Sequence, residues 1–422
     1  MEQAENFYIA RKSLKVDYQV AEKSTIIDPA TAENIELLNS LGTRHKKGSL
    51  FGVLNKCSSN SGVRLLRANL YQPPIDAEVI NNRLEFVDEL VTDVGFFNSL
   101  KNVVNKFPDL DPVLTLCVKR TDDNNSAQKI ESKINNMISL KQILQLLPQL
   151  YDILSKSKTR IAVEVSKMLK GHVNISSLLL EMMHLVLMEN INIGRGGGAV
   201  RFSRAMAVKS EVNGLLDISR RTFCEYVEQL ENYVRSLAED TSLPLKLIWS
   251  NKGFCIQIVN NKNCPVDVNT LPKDFYRVVK NKSGITFVTQ DFSVKDILTK
   301  SSLDEINRMS NAVLNELLNE VREYIGFLYT LSENLANMDM LLSFATVTLS
   351  EELVKPEFGD KMMIQAGRHP LLEQFSVDVT PNNINIDHLN RLQILTGVHL
   401  CTGCYLFICS SKVIITNLIL KF

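Results

Sequence analysis

The sequence predicts a mainly α-helical protein in which two long helices carry a small β-rich module at their tip, and in which an α/β sheet begins near the carboxyl end. Three observations predict this fold class. Apolar residues recur every seven positions in residues 212–237 and 301–349, a spacing typical of long, coiled-coil-like helices. Residues 243–291, between them, hold short β-branched and aromatic runs separated by Asn, Gly and Pro. After Pro356 the pattern changes to strands of an α/β type.

The composition is that of an ordered globular chain with more than one domain. Its 422 residues exceed the ~250 to 300 at which single cores stop growing. The 47 basic and 47 acidic residues cancel, so no global field attracts a polyanion, and nucleic-acid binding would need a local patch. The first residues lack an apolar signal core, and the eight cysteines show no disulfide-scaffold spacing. These features indicate a reducing compartment, the cytosol or the nucleus.

Residues 25–190 are predicted to be mostly helical. A helix follows Pro29, and residues 48–95 keep apolar side chains at helical spacing around a break at Pro73. Residues 136–190 contain the most apolar runs of the chain, ILQLLPQLYDIL and ISSLLLEMMHLVLMENI. We expect these runs to form core.

The two heptad segments predict long helices. The first has a main apolar seam and a second seam of Val212, Tyr226 and Tyr233, and the second has two seams that no proline interrupts. At 1.5 Å per residue, the second segment would form a single helix about 70 Å long, an arm rather than part of a compact domain. The seams are Leu216, Phe223, Leu230 and Leu237 in the first segment, and Leu314, Val321, Leu328, Leu335, Leu342 and Leu349 with Leu317, Tyr324, Leu331, Met338 and Ala345 in the second.

The β-rich segment between the heptads is predicted to be a module inserted at the tip of two antiparallel helices. Its strand-like runs are LKLIWS, FCIQIVNN, YRVVKN and ITFVTQ. Against only Asp267 and Asp274 it carries seven basic residues, Lys246, Lys252, Lys262, Lys273, Arg277, Lys280 and Lys282. Such a patch is suited to nucleic-acid phosphates. The alternative is a solvated, lysine-rich edge that prevents sheet aggregation.

A phosphate-binding loop is incomplete in this sequence. The motif G-x-x-x-x-G-K-[ST] supplies backbone N–H groups, a lysine and a hydroxyl to phosphate and Mg²⁺. Gly397, after RLQIL, stands where such a loop would begin, but Thr402, Gly403 and Cys404 occupy the positions of Gly, Lys and Ser or Thr. Lys412 is nine residues off register. We therefore expect no ATP hydrolysis and no bound cofactor.

Three other motifs are weak. Gly194 to Ala199 match the dinucleotide fingerprint, but a helical segment precedes them, so a linker is expected. His399, Cys401, Cys404 and Cys409 include only one C-x-x-C pair, and no metal site is predicted. The apolar run 405–420 is too short for a membrane span and contains Ser410, Ser411 and Lys412. It predicts an exposed tail and no membrane partner, and no catalytic constellation is recognisable.

Several segments resemble proteins of the MutS family. Gly48 to Leu90, GSLFGVLNKCSSNSGVRLLRANLYQPPIDAEVINNRLEFVDEL, is similar to the opening of that family's core, or lever, domain, with Ser-Leu-Phe-x-x-Leu, Gly-x-Arg-Leu-Leu and Asn-x-Arg-Leu in order. VNGLLDISRRTF resembles the first lever helix, LPLKLIWSNKGFCIQI the entry into the clamp, and LANMDMLLSFATV the return helix. MMIQAGRHPLLEQF and ILTG resemble the start of the ATPase domain. The likeness covers about 25–397.

The resemblance implies a division of the chain into domains. In order these are a connector remnant at 1–24, a helical core domain at 25–210, a first lever helix at 211–242, a clamp domain at 243–292, a return lever helix at 293–354, a truncated start of the ATPase domain at 355–397 and an unmatched apolar tail at 398–422.

The resemblance also implies a function. KSLKVDYQVAEKSTIIDPATAENIELLNS looks most like the meiotic members of the family, which implies a nuclear, chromosomal role in crossover recombination. The protein would hold duplex or branched DNA as a clamp and pair with a sister protein, MutS homolog five. The candidate DNA contacts are Lys252, Lys262, Lys273, Arg277, Lys280 and Lys282. Gly367, Arg368, His369, Pro370, Thr396 and Gly397 match nucleotide-site segments and are interpreted as remnants.

Departures from the family pattern limit what the resemblance implies. No residues correspond to the mismatch-wedge domain, so mismatch recognition is not carried over. The likeness stops at Gly397, and an alternative carboxyl terminus is one explanation. The family's ATPase domain, which uses ATP and Mg²⁺, supplies most of its dimer interface, so pairing stays open for this chain. Two alternatives to the DNA clamp are a non-enzymatic scaffold for a sister MutS homolog and a non-functional truncated isoform.

Overall fold

The computed structural model describes residues 24–41, 48–118, 127–188, 206–250, 253–259, 274–281, 284–350, 353–357, 359, 361–368, 370–371, 381–387 and 389. Most of these are helical, which confirms the predicted mainly α-helical fold. The helices are α1 (Pro29–Asn34), α2 (Leu50–Leu54), α3 (Asn60–Tyr71), α4 (Ala77–Thr92), α5 (Val94–Val104), α6 (Asp111–Val118), α7 (Ala127–Leu154), α8 (Arg160–Gly171), α9 (Val173–Val186), α10 (Gly214–Thr241), α11 (Gln290–Glu323) and α12 (Ile325–Ser350). The strands are β1 (Leu245–Ser250), β2 (Gly253–Val259), β3 (Tyr276–Asn281), β4 (Gly284–Val288), β5 (Met362–Gly367) and β6 (Asn382–Ile386).

The chain divides into two compact units. The first comprises Met1–Asp111, Gln145–Asn174 and Gly326–Phe422, and the second comprises Pro112–Leu144 and Ile175–Ile325. Helices α10 and α11 and strands β1 to β4 therefore all belong to the second unit, so the heptad helix pair and the β-rich module fold together.

In the first unit, a buried carboxylate connects α12 to the start of α3. Asp339 on α12 is 3% exposed and accepts hydrogen bonds from the backbone N–H and the hydroxyl of both Ser58 and Ser59, at 2.6 to 3.1 Å. Ser59 in turn caps α3. A Cβ at Gly62 would lie 2.3 Å from Oδ2 of Asp339, so this close approach requires glycine. Burial, and then the Asp339 carboxylate, raise the pKa of the Cys57 thiol to about 12.

In the second unit, local capping sets the ends of the long helices. The Asn213 side chain accepts from the N–H groups of Leu215 and Leu216, which starts α10. Ser242 has a left-handed φ of 53° and ends that helix. The Thr289 hydroxyl accepts from Phe292 N–H at 3.3 Å and starts α11. These residues mark where α10 begins and ends and where α11 begins.

Helices α10 and α11 form an antiparallel pair. Ser302 donates to the carbonyl of Ser219 at 3.3 Å. Some fourteen residues further along α10, the hydroxyls of Tyr233 and Thr289 lie 2.8 Å apart. The first heptad prediction is confirmed, because α10 is one continuous helix whose seam residues Leu216, Phe223 and Leu230 are fully buried.

The second heptad segment is not one helix, and the prediction of an unbroken 70 Å arm is wrong. Helix α11 ends at Glu323, Tyr324 adopts φ −105° and ψ 17°, and α12 begins at Ile325. The 34 residues of α11 correspond to about 50 Å. Gly326, at the start of α12, disfavours a continuous helix. The seam residues of both helices are nevertheless buried, apart from Tyr324 and Leu349.

The β-rich module is a four-stranded antiparallel sheet of order β1-β2-β4-β3. All four strand runs that the sequence predicts form strands. A hairpin joins Ser250 of β1 to Gly253 of β2, and β4 pairs with both β2 and β3. Gly284 has φ 146°, and a Cβ there would lie 2.2 Å from the carbonyl oxygen of Ile258. Glycine therefore lets β4 approach β2, and β1 and β3 are left as the two edges.

Strands β5 and β6 form a separate antiparallel pair whose register shifts between Ile364 and Gly367. The strand predicted in MMIQAGRHPLLEQF is confirmed at 362–367. The second predicted strand, ending at Gly397, lies outside the described residues. In the part of the chain that the structure describes, none of the helices combines the length and the apolar character needed to cross a membrane.

Candidate nucleic-acid interface

The β module packs against the helix pair through one face of its sheet. Ile256, Ile258 and Phe287 on this face form a buried cluster with Leu230 of α10 and Phe292 of α11. Each fully buried side chain of this kind contributes about 1.5–3 kcal/mol relative to an exposed one. The cluster therefore joins the module firmly to the helices, and the opposite face and the edges remain for a ligand.

The edge strand β3 exposes its side chains through a β-bulge. Its register with β4 shifts between Tyr276 and Val279, and Arg277 has a left-handed φ of 52°. The extra residue bends the strand. As a result, β3 exposes the side chains of Tyr276, Arg277, Val279 and Lys280. Val278, in contrast, packs on the buried cluster. A left-handed conformation at a residue other than glycine costs about 1–3 kcal/mol, and such strain concentrates at functional sites.

The strand register places basic residues at both edges of the sheet. Lys246 on β1 pairs with Gln257, Gln257 with Thr286, and Thr286 with Val279 of β3. Strand alternation turns this row away from the buried cluster. Lys280 follows Val279, and three inter-strand steps of about 4.8 Å separate Lys246 from β3, or about 14 Å in all. Lys246 and Lys280 therefore lie at opposite edges of the sheet. Lys246 is on the outer face, whereas Lys280, which pairs with Ile285, is on the face of the buried cluster.

The charge of the module is positive where it is described. Lys246, Arg277 and Lys280 are exposed, and Asp274 is the acidic residue in the described part of the module. Among the predicted contacts, the structure brings Arg277 and Lys280 together on β3. The other four predicted contacts lie outside the described residues: Lys252, Lys262, Lys273 and Lys282.

The candidate nucleotide-site residues that are described surround the end of β5. Gly367 pairs with Asn382, and a Cβ there would lie 2.7 Å from Cγ2 of Ile364. Close packing between β5 and β6 thus explains this glycine without a nucleotide. Arg368 is exposed and Pro370 half-buried, whereas His369, Thr396 and Gly397 lie outside the described residues. Within the described ranges, no group of three or more His, Cys, Asp or Glu could hold a metal ion.

These features lie in a part of the chain that matches a known protein family. A family model described as MutS domain III matches residues 30–345, or 316 of the 422 residues. The chain belongs to the MutS family. The matched part of this MutS-family chain contains α1 to α11, the whole β module and α12 as far as residue 345. The resemblance to the MutS family in the sequence is thereby confirmed.

Individual relatives agree with the family assignment. The MutS-family chain is 34% identical over 397 residues to MutS protein homolog 4 of Mus musculus, covering 93% of this chain and 41% of that protein. It is 34% identical over 398 residues to MutS protein homolog 4 of Homo sapiens, covering 93% and 42%. It is 27% identical over 378 residues to the DNA mismatch repair protein MutS of Thermotoga sp. (strain RQ2), covering 88% and 43%. The chain spans about two fifths of the length of these relatives.

Two features of the interface escape prediction from the sequence. The bulge at Arg277 has no signal, because left-handed positions are usually predicted from glycine or asparagine. Asp296 and Lys300 have the i, i+4 spacing of an exposed ion pair on a helix surface, yet Asp296 is 7% exposed. Only the fold shows that this carboxylate faces the β module.

Proposed function

We propose that this chain is the lever-and-clamp part of a MutS-family protein of meiotic recombination, and that it holds duplex or branched DNA through its β module. The observation that supports this most directly is the bulged edge strand β3, which exposes Arg277 and Lys280 on a module fixed to a long helix pair. A nuclear, chromosomal location follows from the proposal. The proposed activity is binding rather than catalysis, since the segment after Gly397 does not fit ATP and Mg²⁺.

The chemistry of the module favours contact with the DNA backbone. Flexible cationic side chains bind phosphates in any sequence context, and the counterions they release make affinity depend on salt. Because the chain as a whole has zero net charge, this local patch would supply most of the attraction. We therefore expect sequence-tolerant binding, with a log–log salt slope of about 0.9 for each phosphate neutralised.

Charge reversal on β3 tests the proposal. Arg277→Glu and Lys280→Glu are compared with the unaltered chain, singly, together, and combined with Lys273→Glu and Lys282→Glu. Fluorescence anisotropy with a labelled duplex and a four-way junction gives the affinity over a range of salt. We expect each reversal to weaken binding to all sequences and to lower the salt slope by about one.

A matched control separates the β3 contacts from general electrostatics. Lys167→Glu and Lys170→Glu make the same charge change on exposed positions of α8, in the first unit. These variants should bind DNA as the unaltered chain does. Unchanged affinity after reversal on β3, or an equal loss in the α8 control, would contradict the proposal.

A second candidate function is a non-enzymatic scaffold for a sister MutS homolog, such as homolog five. It is favoured by exposed apolar side chains in the second unit: Leu185 is 72% exposed, Leu215 62% and Ile218 61%. Leu215 and Ile218 lie one turn apart on α10, and a contiguous exposed apolar patch marks an interaction surface. Capture of homolog five that survives the β3 reversals, by a chain that fails to bind DNA, would support this function instead.

A further inference from the structure

A buried carboxylate on α11 contacts the hairpin that joins β1 to β2. Asp296 is 7% exposed, and its Oδ1 accepts the backbone N–H of Phe254 at 3.1 Å. Its Oδ2 lies 2.6 Å from Nζ of Lys300, one turn along the helix. Asp296 therefore connects the first residues of β2 to α11 by a hydrogen bond and stabilises its own charge with an ion pair.

The hairpin leaves room for this ion pair by using glycine. Gly253 has φ 125°, and a Cβ there would lie 2.2 Å from Cε of Lys300 and 3.0 Å from Oδ2 of Asp296. A Cβ at this position would displace the Lys300 side chain from the ion pair, and its backbone would also be strained. The hairpin, the carboxylate and the lysine thus fit together as one contact.

Aromatic packing holds the same hairpin against the other helix. Trp249, the one tryptophan of the sequence, stacks on Phe254 with ring centroids 4.8 Å apart. Its ring centroid lies 6.1 Å from that of Phe223 on α10. The hairpin consequently contacts α10 through its rings and α11 through the Asp296 carboxylate, and Trp249 and Phe254 also pack on a buried cluster that includes Ile306 of α11.

The energetics of the two contacts differ. Apolar packing is non-directional and favours close contact rather than a particular pairing of groups. A buried carboxylate is costly unless its hydrogen bonds and its counter-charge are in place, and removing one partner is strongly destabilising. The Asp296 contact therefore favours one orientation of the hairpin on α11 over its neighbours.

We propose that Asp296, together with Lys300 and Gly253, is a positioning residue that fixes the β module at one angle on α11. Strand β3 belongs to the same sheet, so its cationic side chains are then presented to DNA in a single orientation. Preorganisation of this kind strengthens binding because less ordering is needed on association. The consequence for DNA rests on the proposed function, whereas the fixing of the module does not.

The single tryptophan allows the fixing to be measured directly. Asp296→Ala removes both the acceptor and the charge, whereas Asp296→Asn keeps an oxygen for Phe254 N–H and loses the charge. Time-resolved fluorescence anisotropy of Trp249 should show added local rotation in Asp296→Ala and less of it in Asp296→Asn. The control is Glu305→Ala, which removes an ion pair with Arg308 on the same helix and should leave Trp249 unchanged.

Duplex binding then separates a positioning residue from a contact residue. Asp296→Ala should weaken binding by about tenfold, as expected when a surface must be ordered on association. The salt slope should stay the same, because the same phosphates are contacted once DNA is bound. Charge reversal on β3, in contrast, lowers the slope.

Specific outcomes would overturn the proposal. Unchanged Trp249 anisotropy in Asp296→Ala would contradict the fixing of the module, and a mobile Trp249 with unaltered DNA affinity would contradict its consequence for DNA binding. If Asp296→Ala does not fold, as judged by far-UV circular dichroism, Lys300→Met removes the counter-charge of Asp296 and should likewise add local rotation at Trp249. If the unaltered chain does not bind DNA, the proposed function fails, and the Trp249 measurement still decides whether Asp296 fixes the module.

Discussion

At the scale of one residue, Lys133 shows how burial lowers the pKa of a lysine. It is 8% exposed on α7, and its Nζ donates to Oδ1 of Asn311 at 2.8 Å and to Asn315, both on α11. Burial, and then the charge of Arg322, lower the pKa of Lys133 to about 8. In the unfolded chain a lysine has a pKa of about 10.4. Between these values the unfolded state binds more protons than the folded one, so stability rises with pH.

We therefore expect Lys133 to add about 2 kcal/mol to the free energy of unfolding between pH 8 and pH 10. Below pH 8 the folded chain carries the full cost of the buried charge. Urea unfolding of the unaltered chain and of Lys133→Met at several pH values isolates this effect, because other titrating groups cancel in the difference. Lys156→Met, at an exposed position, is the control. Parallel pH profiles for the unaltered chain and Lys133→Met would contradict the expectation.

The sequence predicts surface charges at this scale better than buried ones. Arg277 and Lys280 are recognisable as part of a basic run, and both are exposed. Lys133, Asp296 and Asp339 also lie in helical segments, where a charge normally indicates the solvent side, yet all three are buried. Each has at least one partner from a distant part of the chain, as when Asp339 accepts from Ser58. Local spacing contains no information about such pairings.

At the scale of secondary structure, apolar spacing predicts which residues are buried more reliably than where a helix ends. Leu314 and Leu328 belong to the same predicted seam, and both are fully buried, but they lie on different helices. A seven-residue repeat indicates which side of a helix faces the core. The repeat can continue past a residue such as Tyr324, where one helix ends and the next begins. The strands of the module are better predicted, because their β-branched runs are bounded by Asn, Gly and Pro.

Two glycines allow the backbone requirements of these elements to be compared by the same substitution. A Cβ at Gly326, in α12, meets no atom within 4 Å. Gly326→Ala should therefore raise the free energy of unfolding by about 0.5–1 kcal/mol. Gly284→Ala should lower it by about 2 kcal/mol or more, because φ is 146° and the new Cβ would lie 2.2 Å from a backbone oxygen. Urea unfolding measures the change in the free energy of unfolding for each variant. Changes of the same sign would contradict this account of the two glycines.

At the scale of the whole molecule, the family assignment was predictable and the division into units was not. Motifs such as Gly-x-Arg-Leu-Leu lie within short segments, and the match to MutS domain III confirms what they indicate. The two units are each assembled from separate stretches of chain. The second unit, for example, combines Pro112–Leu144 with Ile175–Ile325. Which stretches fold together depends on long-range contacts that no local pattern records.

This division makes a final prediction about where DNA acts. If the β module holds the duplex, bound DNA should slow amide hydrogen exchange in peptides containing β3 and β4, and in the ends of α10 and α11 that pack on them. Binding at 100 times the dissociation constant stabilises the bound form by about 2.7 kcal/mol, or about a hundredfold in the exchange of amides that open only when DNA is released. Peptides of α3 and α8, in the first unit, should exchange at unaltered rates.

The double variant Arg277→Glu and Lys280→Glu serves as the reference for this measurement, since it reverses the two proposed contacts on β3. Added DNA should protect β3 and β4 less in this variant than in the unaltered chain. Protection that appears instead in α3 or α8, and that persists in the double variant, would move the DNA site to the first unit. The lysines at the edge of the module would then serve only to keep that edge solvated and to prevent sheet aggregation.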